Sequence, residues 1–307
     1  MIRRSTFVGA ALAAMAAPAR AQTVATLRVS TGTAEVGALQ FYAADLGFYA
    51  KAGLDVQLMP AQNGPANAAA VASGSLDIGS GNALALAQAR ERGIPFVYIS
   101  PSGEYSSAAP TAGLVVPKNS PARTAADLAG KTIAVATLGS LGEIATRAWL
   151  DQHHVDLKTV KFVELPFPAM DTAIATGHVD AAAVEEPLLS RILVSDAKLV
   201  ADIYDAIADS FSEGGSFTTE DFVRTHPLAV RRFAAVMAET ARWANANPAA
   251  SAVILKKYTG IDVSGERHRV RFAERLDPRQ LQPLIDVAAK YGTLKASFPA
   301  AQMIASV

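Results

Sequence analysis

The decapeptide VASGSLDIGS at residues 71–80 decides the fold, because a close echo of it, IATGHVDAAA, occurs at residues 174–183. In each copy the end of a small-residue helix is followed by a glycine, Gly74 or Gly177, where a left-handed residue closes a helix at low steric cost. An aspartate then leads into a short apolar run that is typical of a strand. The echo therefore predicts the same helix-turn-strand junction at two places in the chain.

The similarity between the copies extends to both sides of the echo. LRVST (27–31) and TIAVAT (132–137) each predict a strand that is followed by helix, strand and helix, and AEVGALQFYAADLGFYAKAG (34–53) is the first helical stretch. Strands that alternate with helices favour βαβ units in a mainly parallel sheet. Such sheets bind ligands at the carboxyl ends of their strands, so a duplicated lobe predicts a cleft between two facing sheet edges.

Residues 1–21 have the layout of a bacterial secretory signal peptide. Arg3 and Arg4 precede an apolar run over residues 7–17, and the small-residue ending at residues 19–21 predicts cleavage before Gln22. A membrane anchor is disfavoured because the run is shorter than the ~20 apolar residues that span a bilayer. Export by the Sec or the Tat route stays open. A lipid anchor needs a cysteine and the chain has none, so we expect a protein that is free in the periplasm.

The composition excludes several classes of function. The chain has 28 basic and 28 acidic residues, and the predicted signal holds three arginines and no acid, so the mature charge is 25 − 28 = −3. This balance offers no basic surface to a nucleic acid. The absence of cysteine excludes disulfides, thiol catalysis and cysteine-bound zinc. The five histidines lack the spacing of a metal site or a triad. We therefore expect no cofactor and no metal, and we expect a monomer.

Four segments of the chain carry a resemblance to a known family. They are FYAADLGFYAKAGLDVQLMPAQNGPANAAAVASGSLDIGSGN (41–82), GLVVPKNSPARTAADLAGKTIAV (113–135), GHVDAAAVEEP (177–187) and DFVRTHPLAVRRFAAVMAETARWANANP (221–248). As an ordered set they resemble the substrate-binding proteins of ABC importers in the nitrate, sulfonate, taurine and thiamine-pyrimidine-precursor group. Any one segment would be a weak signal, and the specificity lies in the set.

The resemblance implies a fold and a function. The fold is the α/β, two-lobed periplasmic binding protein fold of type II-like kind, in which each lobe is a mainly parallel sheet flanked by helices and the ligand cleft lies between the lobes. Lobe 1 is expected to comprise residues 22–107 plus 205–307, and lobe 2 residues 108–204, with crossings near 100–110 and 210–219. The implied function is capture of a small polar or heteroaromatic molecule and its delivery to an ABC permease in the inner membrane.

Candidate ligand contacts lie in the loops after strands, where free N–H groups and the positive end of a helix dipole would meet an anionic group. For Thr33 and Ser140 the alternative is that they only cap their helices. Tyr105 and Phe167 are candidates for stacking on a planar ligand. The predicted contacts are Thr31, Thr33, Asn63, Ser80, Asn82, Ser102, Tyr105, Ser140, Leu141, Phe167, Glu185 and Glu186.

Charge separates two kinds of ligand. The loops at residues 31–36, 80–82 and 138–142 contain no lysine or arginine, while AVEEP brings Glu185 and Glu186 to the same sheet edge. A ligand with an amine, an amidine-like ring or other donors is therefore better matched than a plain anion. Glu186 is preferred over Glu185 because Glu-Pro recurs in the resembled family. The alternative is that one glutamate faces solvent and the other caps the turn at Pro187.

Two other functions stay open at this point. The pyrimidine synthases of thiamine biosynthesis resemble these binding proteins, but they depend on a cysteine-rich motif and a reactive histidine, and this chain has no cysteine. A sensory binding protein that presents its ligand to a membrane receptor would use the same cleft. We predict a binding protein without enzymatic activity.

Overall fold

The computed structural model describes residues 26–32, 34–60 and 64–306, so the predicted signal peptide at residues 1–21 lies outside the described part. The first part of the chain alternates strands and helices, as predicted. In order, its elements are β1 (Leu27–Thr31), α1 (Leu39–Asp45), α2 (Phe48–Lys51), β2 (Val56–Pro60), α3 (Gly64–Ala72), β3 (Gly79–Asn82), α4 (Ala83–Glu91) and β4 (Phe96–Pro101).

The middle of the chain repeats this alternation. Its elements are β5 (Gly103–Ser106), β6 (Ala112–Pro117), β7 (Thr132–Val135), α5 (Leu141–Gln152), β8 (Lys161–Glu164), α6 (Phe167–Ala175), β9 (Ala181–Glu185), α7 (Leu188–Ser195) and β10 (Ala197–Ala201). We call the sheet of β6 to β10, with its helices, the second lobe.

The last third returns to the unit that contains β1, which we call the first lobe. Its elements are β11 (Ser210–Ser212), β12 (Gly214–Thr219), α8 (Glu220–Thr225), α9 (Pro227–Ala246), α10 (Pro248–Thr259), β13 (Arg271–Phe272) and α11 (Pro278–Lys290). Short 3-10 segments lie at Glu35–Gly37, Ala125–Leu128, Ile203–Ala206 and Ala300–Met303. The C-terminal region is thus mainly helical, with the short strand β13 inserted.

The two lobes have the same spatial order of strands, which is β4-β12-β3-β1-β2 in the first lobe. The second lobe has the order β10-β6-β9-β7-β8, in which β7 is parallel to β8 and β9 while β6 is antiparallel to its neighbours β9 and β10. In the first lobe β1 is parallel to β2, a parallel bridge joins Val29 to Ile78 just before β3, and β12 lies antiparallel between β3 and β4. The predicted α/β fold with two mainly parallel sheets is confirmed.

The repeated aspartates make the same contacts in the two copies. The Asp77 carboxylate accepts a hydrogen bond from the Arg28 backbone N–H at 2.7 Å, and that of Asp180 accepts one from the Thr132 N–H at 2.8 Å. In return the backbone N–H of each aspartate donates to the carbonyl of the same partner at 2.9 Å. The residues Gly74 and Gly177 before them have φ values of 74° and 70°. The echo therefore builds one junction twice, as predicted.

The first helical stretch differs from its prediction. Residues 34–53 form a 3-10 turn and two short helices, because Gly47 adopts a left-handed conformation with φ 69° and ends α1.

Both sheets are covered on two faces. The neighbours Tyr98 and Ile99 on β4 belong to different apolar clusters, one with Leu284 of α11 and one with Phe233 of α9. Full burial of such side chains stabilises the fold by about 1.5–3 kcal/mol each.

Two chain crossings join the lobes. At the first crossing β4 runs into β5, and at the second β11 runs into β12, while β5 and β11 pair with each other. Helices α5 and α11 also meet across the lobes, where Asp151 accepts hydrogen bonds from Lys290 Nζ at 2.8 Å and Tyr291 Oη at 2.7 Å. The exact predicted boundaries, 107/108 and 204/205, stay a prediction.

No helix within residues 26–32, 34–60 and 64–306 is long and apolar enough to cross a membrane.

Candidate functional site

A cleft of about 360 Å³ opens between the two lobes. Its walls are the carboxyl ends of the parallel strands, because Thr31 ends β1, Asn82 ends β3 and Glu185 ends β9. The crossings form its floor with Ser102, Glu213 and Gly214. This is the edge at which the sequence predicted a ligand.

The wall from the first lobe is polar and closely packed. The Ser80 backbone N–H donates to Ser30 Oγ at 2.7 Å, and the Asn82 side chain caps α4 by accepting from the Ala85 N–H at 2.7 Å. Gly32 and Gly37 touch backbone to backbone, since a Cβ on Gly32 would lie 2.8 Å from the Gly37 Cα atom. Side chains are thereby kept away from this wall, which leaves room for a ligand.

Buried Asn67 of α3 adds an acceptor to the same wall. It is only 3% exposed and lines the cleft. Its Nδ2 donates to the Ser80 carbonyl, which fixes the orientation of the amide, and its Oδ1 accepts no hydrogen bond from the described residues. A buried acceptor without a donor costs about 1–3 kcal/mol, so Oδ1 is a ready partner for a ligand donor.

The wall from the second lobe has fewer free donors than the sequence predicted. Ser140 caps α5 through a bond from the Glu143 N–H at 3.4 Å. The Leu138 N–H donates to the Glu164 carboxylate at 3.0 Å, and the Gly139 N–H donates to the Glu143 carboxylate at 2.6 Å. Carboxylates of the chain itself thus occupy two of the N–H groups that were expected to meet an anion.

Two carboxyl groups stand at the floor of the cleft. Glu185 accepts a hydrogen bond from Tyr204 Oη at 2.5 Å, and its burial raises its pKa although that hydrogen bond opposes the rise. Burial, together with the negative charge of Glu185, raises the pKa of Glu213 to about 8. Both side chains are half-buried and line the cleft. No lysine or arginine lies among the described residues that line it.

A side chamber of about 30 Å³ adjoins this floor, and Glu185 and Glu213 line both cavities. Its other acidic members are Glu35, Glu186 and Glu266. Burial and then the nearby carboxylate of Glu35 raise the pKa of Glu266. Within the described residues no group of three or more acidic or histidine side chains is arranged to hold a metal ion.

A single arginine compensates part of this acidic chamber. Arg269 Nε donates to Glu35 Oε1 at 2.7 Å, and its Nη1 donates to the Pro248 carbonyl at 2.8 Å. Glu266 lies 3.8 Å from the same Nε atom, and its side chain is 2% exposed. The chamber therefore carries more carboxyl groups than cations, and this excess adds to burial, the larger cause, in raising the pKa of Glu266.

The structure brings eight of the twelve predicted contacts to the cleft. They are Thr31, Ser80, Asn82, Ser102, Ser140, Leu141, Phe167 and Glu185. Thr33 and Asn63 lie outside the described residues.

Tyr105 and Glu186 are not among the residues that line the cleft. Tyr105 is fully buried, packs with Tyr204 and Phe211, and donates its hydroxyl to Asp205 at 2.8 Å. Alternation along β5 turns this ring into the core. Glu186 accepts hydrogen bonds from the Ser190 N–H at 3.0 Å and from Ser190 Oγ at 2.8 Å. It caps α7 and lines the side chamber, so the preference for Glu186 over Glu185 stays a prediction.

Glu213 and Asn67 are cleft residues that the sequence reasoning did not single out. Glu213 lies in SFSEGGSFTT (210–219), the stretch expected to hold the second crossing. The sequence signal that could have identified Glu213 is an acidic residue beside two glycines at a predicted crossing. Asn67 lies inside a helix of small residues, and no local feature marks it.

Comparisons with known proteins agree with this architecture. A sequence profile described as NMT1/THI5 like matches residues 37–251. A predicted binding protein of Brucella abortus (strain 2308) is 26% identical over 244 residues, which is 79% of this chain and 74% of the relative.

Two solved structures share the fold at low identity. The periplasmic aliphatic sulphonate binding protein SsuA of Escherichia coli aligns with a TM-score of 0.77 and 19% identity, over 91% of this chain and 97% of that one. The desulfurization enzyme DSZB aligns with a TM-score of 0.72 and 16% identity, over 91% and 96%. At these identities the likeness concerns the fold alone.

Proposed function

The chain belongs to the NMT1/THI5-like family, and from that premise we propose that it captures a small solute outside the cytoplasm and delivers it to an ABC importer. The observation that carries the proposal is the cleft, whose walls come from the strand ends of both lobes and whose floor is the pair of crossings. Such a site is filled by a ligand that both lobes contact at once.

The mechanism is closure of the lobes around the solute. A ligand shifts the balance between open and closed forms only by its difference in affinity for the two. A shift from about 1% closed to about 99% closed needs roughly 5.5 kcal/mol of that difference. Hydrogen bonds of ~1 kcal/mol each, from the predicted contacts in the cleft that have polar side chains, together with burial of the solute against Phe167, can supply it.

The lobe boundaries and the location belong to the same proposal. We assign residues 22–107 plus 205–307 to lobe 1 and residues 108–204 to lobe 2. In support, the second-lobe sheet takes all its strands from residues 112–201. Cleavage before Gln22 would release a monomer into the periplasm, where its closed form docks on a permease.

The solute is proposed to be a sulfonate, an aminosulfonate or a pyrimidine-like compound. The name of the Escherichia coli structure, an aliphatic sulphonate binding protein, supports the first two, and the NMT1/THI5 name of the family supports the third. The polar first-lobe wall and the ring of Phe167 at the start of α6 suit a compound with both a polar group and a compact body.

A thermal-shift panel on the mature protein tests the proposal. The panel contains taurine, alkyl and aryl sulfonates, nitrate, aminopyrimidines and aromatic carboxylates. A solute present at a hundred times its Kd should stabilise the fold by about 2.7 kcal/mol. The variant Gly142→Leu places a side chain at the cleft wall and should abolish the shift, while Ala250→Leu, on the exposed surface of α10, should keep it.

The rival function is an enzyme on the same fold. The DSZB structures favour it, and one of them is a variant in which a cysteine is replaced by serine, with biphenyl-2-sulfinic acid bound. The present chain contains no cysteine. We propose that it is not an enzyme. Turnover of a panel compound by the purified protein alone, lost in Gly142→Leu, would contradict this.

A further inference from the structure

The cleft and its side chamber have an unbalanced charge. Glu185 and Glu213 line both cavities, and the described residues that line either one include no lysine and no arginine. Arg269 lies behind the chamber and is committed to Glu35 and to the Pro248 carbonyl. A solute that enters this space meets Glu185 and Glu213 without a facing cation. Because the pKa of Glu213 is raised to about 8, a cationic group that binds beside it also draws the proton from this carboxyl.

Hydrogen-bond acceptors without donors point in the same direction. Asn67 Oδ1 is buried in the wall and accepts nothing from the described part of the chain, while its amide nitrogen is held by Ser80. The Glu213 carboxylate likewise receives no hydrogen bond from the described side chains, although its backbone carbonyl accepts from the Ala83 N–H at 2.9 Å. A solute in the cleft that carries hydrogen-bond donors can therefore pair with both groups.

Two of the donors that would hold an anion are instead occupied. Glu143 and Glu164 take the Gly139 and Leu138 N–H groups at the start of α5. A sulfonate or nitrate at this helix end would stand beside those carboxylates. Repulsion by these carboxylates offsets the attraction of the helix dipole there.

The size of the chamber restricts what reaches Glu185 and Glu213 from the cleft. At about 30 Å³ it holds a group of roughly the size of one or two water molecules. A primary ammonium or the NH2 end of an amidinium fits this space. A trimethylated nitrogen or an aromatic ring does not.

We propose that the solute carries a compact protonated nitrogen, a primary ammonium or an amidinium NH2, that binds between Glu185 and Glu213 at the mouth of the side chamber. The inference rests on the proposed function and narrows it to cationic or zwitterionic solutes. Asn67 Oδ1, in the wall from the first lobe, accepts a second donor of the same solute. Glu213 is the specificity-determining residue, because Glu185 already receives the Tyr204 hydroxyl.

Matched probe pairs test the inference by isothermal titration calorimetry at pH 7.5. Taurine and isethionate differ only in an ammonium against a hydroxyl, and benzamidine and benzamide differ in an amidinium against a neutral amide. In at least one pair the member with the protonated nitrogen should bind roughly tenfold or more tightly than its partner, since a hydrogen bond to a charged group exceeds a neutral one by that order. Glu213→Gln should weaken the member with the protonated nitrogen roughly tenfold. Its binding to the unchanged protein should also release protons, because the pKa of Glu213 is about 8 in the free protein and a bound cation lowers it. Glu239→Gln, an exposed change on α9, should leave its affinity unchanged.

The outcomes separate the inference from the function beneath it. Two results overturn the inference and leave solute capture standing. They are equal binding of the partner without a protonated nitrogen, and unchanged affinity in Glu213→Gln of the member that carries one. A panel hit without a protonated nitrogen, such as nitrate, does the same. A panel hit that carries one supports the inference and replaces the probe in the variant comparison. Failure of every probe and every panel compound overturns solute capture and the inference together.

Discussion

Replacement of Glu213 by glutamine should make the protein more stable at neutral pH. The pKa of this carboxyl is raised from its ordinary 4.5 to about 8, with burial as the larger cause and Glu185 as the second. Between these pH values the unfolded chain is ionised at this position while the folded chain keeps its proton. The contribution of this group to the free energy of unfolding is therefore most favourable below pH 4.5. It falls as the pH rises from 4.5 to about 8.

The size of the effect follows from that interval. Each pH unit in it costs about 1.4 kcal/mol, so the upper bound at pH 7 is about 3 kcal/mol. Glu213 is partly exposed to the cleft, and solvent screening reduces the expected value to ~1–2 kcal/mol. Glutamine keeps the size of the side chain but cannot ionise, so the variant avoids this cost. The gain should fall to ~0.4 kcal/mol at pH 4.5, where the glutamate is protonated in the folded chain and half protonated in the unfolded chain.

Urea denaturation of the two proteins, followed by tryptophan fluorescence at pH 4.5 and pH 7, measures this difference. Other titrating groups that face Glu213 are Glu185, Tyr105 and Tyr204, and they are common to both proteins. The exposed control Glu239→Gln should show no gain at either pH. A Glu213→Gln protein that is less stable at pH 7, or whose gain is the same at both values, would refute the reasoning. A residue that lowers the stability of the fold at neutral pH is typical of a functional site.

Two further predictions concern stability. Arg269→Met leaves the buried carboxyls of Glu35 and Glu266 without their cation and should cost about 3–5 kcal/mol by urea denaturation; a loss below ~1 kcal/mol would show that the arginine does not compensate them. Gly79→Ala should cost about 1–3 kcal/mol by the same assay, because its Cβ would lie 2.5 Å from the Phe217 ring, and a neutral result would mean that the ring moves freely.

The repeated junctions could be predicted from the sequence because their causes are local. Gly74 and Gly177 each close the helix that ends just before them. The aspartate that follows each glycine bonds to a strand that the alternating sequence pattern already predicts. The caps formed by Asn82 and Ser140 have the same local origin, since each accepts from the backbone three residues on.

The floor of the site depends on contacts between distant parts of the chain. Glu213 is placed by its N–H bond to the Gly103 carbonyl at 3.0 Å and by the bond from the Ala83 N–H to its own carbonyl. These partners are more than a hundred residues away, so no local pattern reveals that an acid stands there. Tyr105 shows the opposite error, because proximity to a crossing was visible but the strand alternation that turns its ring inward was not.

Two donors that were expected to meet an anionic group are occupied for a related reason. The Leu138 N–H is taken by Glu164, which follows a different strand, and only the folded structure brings the two together. The sequence showed that the loop lacked basic residues but not that its donors were occupied. A site with few free donors and two floor carboxylates follows only from the assembled lobes.

The most direct test is a crystal structure of the mature protein with the tightest-binding amine from the panel. We predict that the compound lies between the lobes, with its protonated nitrogen within 3.2 Å, roughly hydrogen-bond distance, of the carboxylates of both Glu185 and Glu213. A compound bound elsewhere, or in the cleft with its nitrogen turned away from both glutamates, would contradict the account.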